Sequence, residues 1–256
     1  MATVDVNGRT LNVSDTGTGP AVVLIHGFPL DGRVWDGVAQ RLSTRARVIV
    51  PDLRGFGRHP PEDAFTMNDL ADDIAALMEM VGVAPCPVAG LSMGGYVVQA
   101  LIRKYPGIAS RVILVDTKAE ADSPEAKAKR DAMAEVALSQ GAKAVADAMM
   151  PNMTAEAPPP AVVSALRSIM DSQPQKTLAA ALLAMRDRDD ATATLRDSES
   201  PVDWIFGSED KISPASAVDP LVRPGKDSIT LIDKAGHMSP VEQPQAVADA
   251  IGKLLA

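Results

Sequence analysis

Residues 88–95 read Val88-Ala89-Gly90-Leu91-Ser92-Met93-Gly94-Gly95, an apolar lead-in, a Gly-x-Ser-x-Gly core and a helix-like continuation through residues 96–105. A serine at the tip of a strand-turn-helix has its hydroxyl lifted clear of a sheet. The turn that does this is sharp, its backbone is strained and its neighbours come close, so Gly90 and Gly94 must lack side chains. Without a strand before it and a helix after it, the same run is only a tight turn with a capping serine. The flanking sequence therefore decides what Ser92 is for.

That sequence alternates between strand and helix patterns. Residues 3–6 and 10–13 alternate around Asn7-Gly8, a hairpin signature. Residues 21–25 are a continuous apolar run suited to a strand buried on both faces, and residues 46–50 read as another buried strand, with helical spacing over residues 34–42 between them. Thr66 and Asp69 predict a capping box for a helix whose apolar face runs from Met67 to Val81 and closes at Gly82. The elbow follows, then a strand over 112–115 ending at Asp116. From 118 to 200 only helical patterns occur, opened by Ser123-Pro124-Glu125 and broken at Gly141, Pro151, Pro158-Pro159-Pro160 and Pro174. Strands return over 202–206 and 228–232, with a short helix between them and a closing helix over 243–255. The fold class is α/β: a mostly parallel central sheet flanked by helices, formed by 1–117 and 201–256, with an all-helical insertion over 118–200 at one edge of the sheet.

Composition narrows the partners. With 25 Lys plus Arg against 33 Asp plus Glu, the chain carries a net charge of -8, which argues against nucleic acid or an anionic membrane surface. The lone cysteine, Cys86, excludes an intrachain disulfide and a cysteine cluster for zinc, and reads as a buried structural thiol. The first residues lack a basic and apolar leader pattern, and no apolar run is long enough for a membrane span, so the expected location is cytoplasmic. Aromatic residues make up 3% of the chain, which disfavours a stacking site for large aromatic substrates.

A serine hydroxyl needs a base in contact with it to act as a nucleophile at neutral pH. The chain has three histidines, His26, His59 and His237. His237 directly follows the last strand, where loops from strand C-termini converge on one crevice, and is the best base for Ser92. The base in turn needs an acid to fix its tautomer. Asp210 follows the penultimate strand and fits. Its neighbour Glu209 points the other way, and Asp116 is a competitor from an earlier strand end, less well placed than Asp210.

Serine, acid and histidine in that order, together with His26-Gly27-Phe28-Pro29, Asp52-Leu53-Arg54-Gly55-Phe56-Gly57, Gly207-Ser208-Glu209-Asp210 and Ala235-Gly236-His237, resemble the α/β-hydrolase fold family over nearly the whole chain. Ser92 separates it from the members that use an aspartate nucleophile to dehalogenate or open epoxides. The resemblance implies a catalytic Ser92, Asp210 and His237, an oxyanion hole from the backbone N–H groups of Phe28 and Met93, and a structural role for His26, Gly27, Gly90 and Gly94. It makes the insertion a cap over the nucleophile, with Met149, Met150, Met153, Met170 and Met185 divided between core packing and pocket lining. His59 stands where many relatives have a small serine, and is expected at the surface or the pocket rim. The implied activity is hydrolysis of small to medium, largely uncharged carboxylic esters, with no metal or cofactor and a small-molecule ester or lactone as partner. The Gly-Leu-Ser-Met-Gly-Gly elbow also resembles those of enol-lactonases, cofactor-free perhydrolases and carbon–carbon bond hydrolases. A non-catalytic ligand sensor on the same scaffold is a remote alternative.

Overall fold

The structure is a computed structural model and describes residues 2–6 and 8–255. Strands β1 (Ala2–Val6) and β2 (Arg9–Thr16) pair antiparallel, from Ala2 opposite Val13 to Val6 opposite Arg9. The hairpin expected there is present, although Asn7 of its turn lies outside the described residues. Next come β3 (Ala21–Ile25), α1 (Asp36–Leu42), β4 (Arg47–Pro51), α2 (Met67–Met80), β5 (Cys86–Leu91), α3 (Met93–Lys104) and β6 (Ala109–Val115). Five helices then intervene: α4 (Pro124–Gln140), α5 (Ala142–Met153), α6 (Pro160–Met170), α7 (Gln175–Arg186) and α8 (Thr192–Asp197). The chain closes with β7 (Val202–Gly207), β8 (Ser228–Ile232), the short α9 (Ser239–Glu242) and α10 (Pro244–Leu254). Two 3-10 turns join β7 to β8 where a short helix was expected.

The eight strands lie in the order β1-β2-β4-β3-β5-β6-β7-β8. The β1-β2 and β2-β4 pairs are antiparallel, and every pair from β4-β3 to β7-β8 is parallel. Alternation along β3 shows why its apolar run has no polar side. Val23 and Ile25 face a core shared with Leu70 and Ile74 of α2 and Val97 and Leu101 of α3. Val22 and Leu24 face the opposite core, with Val38 and Leu42 of α1 and Val247 and Ile251 of α10. Each such fully buried side chain stabilises the fold by about 2 kcal/mol. Helix α2 begins as its sequence dictates: Thr66 Oγ1 accepts from the Asp69 amide at 3.1 Å, and the Asp69 carboxylate accepts from the Thr66 amide at 2.8 Å. Cys86 is buried at the start of β5, and burial pushes its thiol up to about 12. Among the described residues no helix is long and apolar enough to cross a membrane.

The inserted helices rest across the C-terminal ends of the strands. Gln173 donates to Asp31 at 2.9 Å and accepts from the Gly57 amide at 3.1 Å, which ties the insertion to the loops after β3 and β4. The Ala155 amide donates to Glu242 at 2.8 Å beyond β8. Helix α4 starts at Ser123 as expected, with its hydroxyl accepting from the Ala126 amide at 3.3 Å. Pro151 does not break a helix: it lies within α5, two residues from its end. The carbonyl it leaves without an intrahelical donor is that of Asp147, an exposed residue, so solvent is at hand to replace the lost bond.

Candidate active site

Leu91 ends β5 and Met93 begins α3, so Ser92 alone makes the turn, at φ 50 and ψ -112. A non-glycine residue at positive φ is strained by about 1–3 kcal/mol, and surrounding contacts must hold it there. Here the Ser92 amide donates to the Val115 carbonyl at 2.9 Å, while its own carbonyl accepts from Thr117 Oγ1 at 2.8 Å and from the Gly95 amide at 2.9 Å. The two motif glycines are required by close approach. A Cβ on Gly90 would lie 2.3 Å from the Gly94 carbonyl oxygen, and one on Gly94 would lie 2.4 Å from the Ile25 carbonyl oxygen. Gly94→Ala therefore meets rigid backbone, and its expected cost is about 3 kcal/mol. A chain of this size should then melt roughly 6–12 °C lower. A thermal shift under about 2 °C would show that the turn has room that this packing denies.

His237 and Asp210 meet Ser92 from two other strand ends. His237 Nε2 lies 2.9 Å from Ser92 Oγ, and His237 Nδ1 lies 2.9 Å from Asp210 Oδ2. The carboxylate partner assigns the proton to Nδ1, which leaves the Nε2 lone pair facing the serine hydroxyl. The other oxygen of Asp210 accepts from the Ile212 and Ser213 amides at 2.8 and 3.0 Å, so the carboxylate is held on both sides. Glu209 points away, accepting from the Glu156 amide of the insertion at 3.2 Å.

Asp116, the competing acid, is fully buried but makes no hydrogen bond to the imidazole. Its carboxylate accepts from the Gly207 amide at 2.8 Å, Ser239 Oγ at 2.6 Å and the Ser239 amide at 3.2 Å. It thus joins the loop that carries Asp210 to the loop that carries His237. Thr117 and Ser239, which hold this arrangement, were not singled out by the sequence; their only signal was adjacency to Asp116 and closeness to His237.

The electrostatics follow from burial and charge. Burial raises the Asp116 carboxyl to about 7, and the Asp210 charge adds to the rise against an opposing pull from His237. Burial pulls His237 down, but its hydrogen bond to Asp210 and the charges of Asp210, Asp116 and Glu242 outweigh that, so the net direction is up. A histidine acting as base works when neutral, so the acid limb of kcat/KM should lie above the ordinary histidine value. To the extent that Asp116 is ionised, above about pH 7, Asp116→Asn removes a negative charge, lowers the histidine and moves that limb to lower pH. A pH–rate profile of both proteins checks this. An unmoved limb, with the fold intact by circular dichroism, would show that the Asp116 charge does not reach His237.

The remaining histidines are structural or peripheral to this contact. His26 is buried, with Nδ1 3.0 Å from the Gly27 carbonyl oxygen and Nε2 accepting from the Leu53 amide at 3.0 Å. It links the loop after β3 to the loop after β4, and burial lowers it toward the neutral form. His59, expected at the surface or pocket rim, is instead buried, at 8% exposure. A local turn, in which the Phe56 carbonyl accepts from the His59 amide at 3.0 Å, is covered by tertiary contacts: Gln173 and Thr177 of the insertion bond Gly57 and Glu62 on either side.

Phe28 and Met93 are both buried beside this centre. Met93 is the first residue of α3, where the amide has no intrahelical acceptor and the helix dipole is positive. Phe28 lines a cavity of about 400 Å³ together with Met133 and Met149 of the insertion. Of the five methionines considered, Met153, Met170 and Met185 are core residues, Met149 lines this cavity and Met150 lines a separate cleft.

Comparison with known proteins agrees with this architecture. A thermophilic esterase from Thermogutta terrifontis, solved with malate bound, superposes with a TM-score of 0.94 at 37% identity, covering 99% of this chain and 97% of that one. An enol-lactonase from Burkholderia xenovorans LB400 superposes with a TM-score of 0.89 at 25% identity, covering 99% of both chains. A 2-(acetamidomethylene)succinate hydrolase from Mesorhizobium japonicum is 34% identical over 114 residues, which span 44% of this chain and 41% of that protein. The matched stretch is thus less than half the length of that curated relative. The family model described as Alpha/beta hydrolase family matches residues 22–250, taking in the elbow, the strands on either side of it and the loops that bring Asp210 and His237 to Ser92. The chain belongs to the alpha/beta hydrolase family.

Proposed function

We propose that this hydrolase cleaves carboxylic esters of small to medium size through an acyl-enzyme. The observation that carries the reading is the unbroken contact from Ser92 Oγ through His237 to Asp210, at 2.9 Å on each side of the ring. Ser92 Oγ attacks the ester carbonyl carbon as its proton passes to His237 Nε2. The oxyanion is met by the Phe28 and Met93 amides, and the collapsing intermediate expels the alcohol, which takes the proton back from His237. Water then gives a proton to His237 and attacks the acyl carbon, releasing the acid and restoring the serine. Asp210 holds the ring and stabilises its cationic form throughout. The inserted helices act as a cap that walls the acyl and alcohol pocket. The likeness to a solved esterase over almost the whole chain supports the ester reading.

Hydrolysis of p-nitrophenyl esters from acetate to decanoate, together with labelling by a fluorophosphonate, tests it. Turnover that peaks at short to medium chains is the expected result. A chain that is labelled but cleaves no ester of the series would move the chemistry to a lactone. That second reading is favoured by the likeness to the enol-lactonase, a lactone being an internal ester open to the same steps.

A further inference from the structure

The cavity lined by Phe28 is cationic, in a chain whose net charge is -8. Its wall includes Lys118, Lys129 and Arg130, and the only carboxylate among its lining residues is Asp122. That carboxylate is already engaged: Arg188 Nη1 lies 2.8 Å from it, Arg130 Nε 3.0 Å and Lys118 Nζ 3.7 Å. One buried carboxylate facing three cations leaves an excess of two positive charges at this point. Of the other anions near in sequence, Glu120 is exposed and water screens it, and Asp131, next to Arg130, is paired with Arg186.

The three cations differ in what they have left to give. Arg188 is engaged through both Nη atoms, donating to the Met185 and Glu120 carbonyls at 2.8 and 2.7 Å and stacking over the Tyr96 ring at 4.1 Å, and only its buried Nε lacks a partner among the described residues. Arg130 uses only Nε, and among the described residues its Nη donors make no hydrogen bond. Lys118 Nζ makes none among the described residues either, with its side chain about one-third exposed. Its backbone is fixed beside the nucleophile: the Lys118 carbonyl accepts from Gln99 at 2.8 Å, and the preceding Thr117 bonds the Ser92 carbonyl. Partial burial and the charge of Arg188 both lower Lys118, which is the strain that an anion would relieve.

We propose that this cavity receives a carboxylate carried by the substrate, held by Lys118 Nζ and the free Nη donors of Arg130. The substrates are then anionic esters, either monoesters of short dicarboxylic acids or esters of short hydroxy acids, in place of the largely uncharged esters that the family resemblance implied. This rests on the ester-hydrolase reading and narrows it. Charge-assisted contacts of this kind favour the anionic ester over a neutral isostere by roughly 10- to 100-fold.

The test compares kcat/KM for two pairs of isosteres. Monomethyl glutarate and the methyl ester of glutaramic acid place the carboxylate or amide on the acyl side; acetoxyacetate and acetoxyacetamide place it on the alcohol side. The expected result is that one of the carboxylates exceeds its amide by about 10-fold or more, and that Lys118→Met lowers that ratio by about 10-fold. The ratio within one protein preparation does not depend on how much of the variant folds. Rising salt should erode the wild-type ratio while leaving the amide esters unaffected, which gives a reading that needs no variant. Amide esters cleaved as well as or better than both carboxylates would overturn the anionic pocket and leave the ester reading standing. A ratio indifferent to both Lys118→Met and salt would overturn it as well. Failure of the wild type on all four esters and on the p-nitrophenyl series would bring down the ester reading itself.

Discussion

Ser92→Ala should lower kcat by about a million-fold and abolish fluorophosphonate labelling, while leaving the fold and its thermal midpoint nearly unchanged. Alanine keeps the Cβ and can occupy the same strained backbone, and the backbone bonds to Val115, Thr117 and Gly95 do not involve the hydroxyl. Among the described residues, the one hydrogen bond of that hydroxyl is to His237 Nε2. Its loss therefore removes the covalent route and little else, and whatever turnover remains comes from substrate positioning and the oxyanion donors. Steady-state kinetics on the preferred ester, with a melting curve, is the measurement. A variant retaining more than about one part in a hundred of the wild-type rate would be inconsistent with nucleophilic attack by Ser92, since removal of a nucleophile costs far more than that.

Asp210→Asn should lower kcat by about ten-thousand-fold, for a reason specific to how this side chain is held. Asp210 Oδ1 accepts from the Ile212 and Ser213 amides. An asparagine keeps its single carbonyl oxygen on those two donors, so its NH2 turns toward His237 Nδ1. That forces the imidazole proton onto Nε2, where it points at Ser92 Oγ and leaves no lone pair to accept from the hydroxyl. The geometry survives and the tautomer is wrong. Asp116→Asn acts differently, because Asp116 bonds Gly207 and Ser239 instead of the ring, and moves the pH limb without this collapse. Comparing the two variants over a range of pH separates them. Equal and small losses from both would mean that Asp116 substitutes for Asp210 as the partner of His237.

Much of the fold could be read from the order of residues because its signals are local. The Thr66 and Asp69 box, the Ser123 cap and the apolar runs of β3, β5 and β7 act within a few residues of chain, and the structure places elements there within a few residues. Pro151 shows the limit of such punctuation. A proline ends a helix only where its missing bond cannot be replaced, and near an exposed helix end water replaces it. His59 was misplaced for the converse reason. Its neighbours in sequence are polar and turn-forming, and what buries it is an insertion more than a hundred residues away.

The sequence alone pointed to Ser92 and His237 and ranked Asp210 over Asp116, because a strained turn needs Gly90 and Gly94 and because few strand-end residues are able to accept or donate a proton. Tertiary structure alone decided that Asp116 is occupied by Gly207 and Ser239, that three of the methionines between β6 and β7 are core, and that Lys118, Arg130 and Asp122 converge on one wall. A turn type is fixed by the residues that make it, whereas a charge surplus exists only once separate segments are packed together and their pairings are complete.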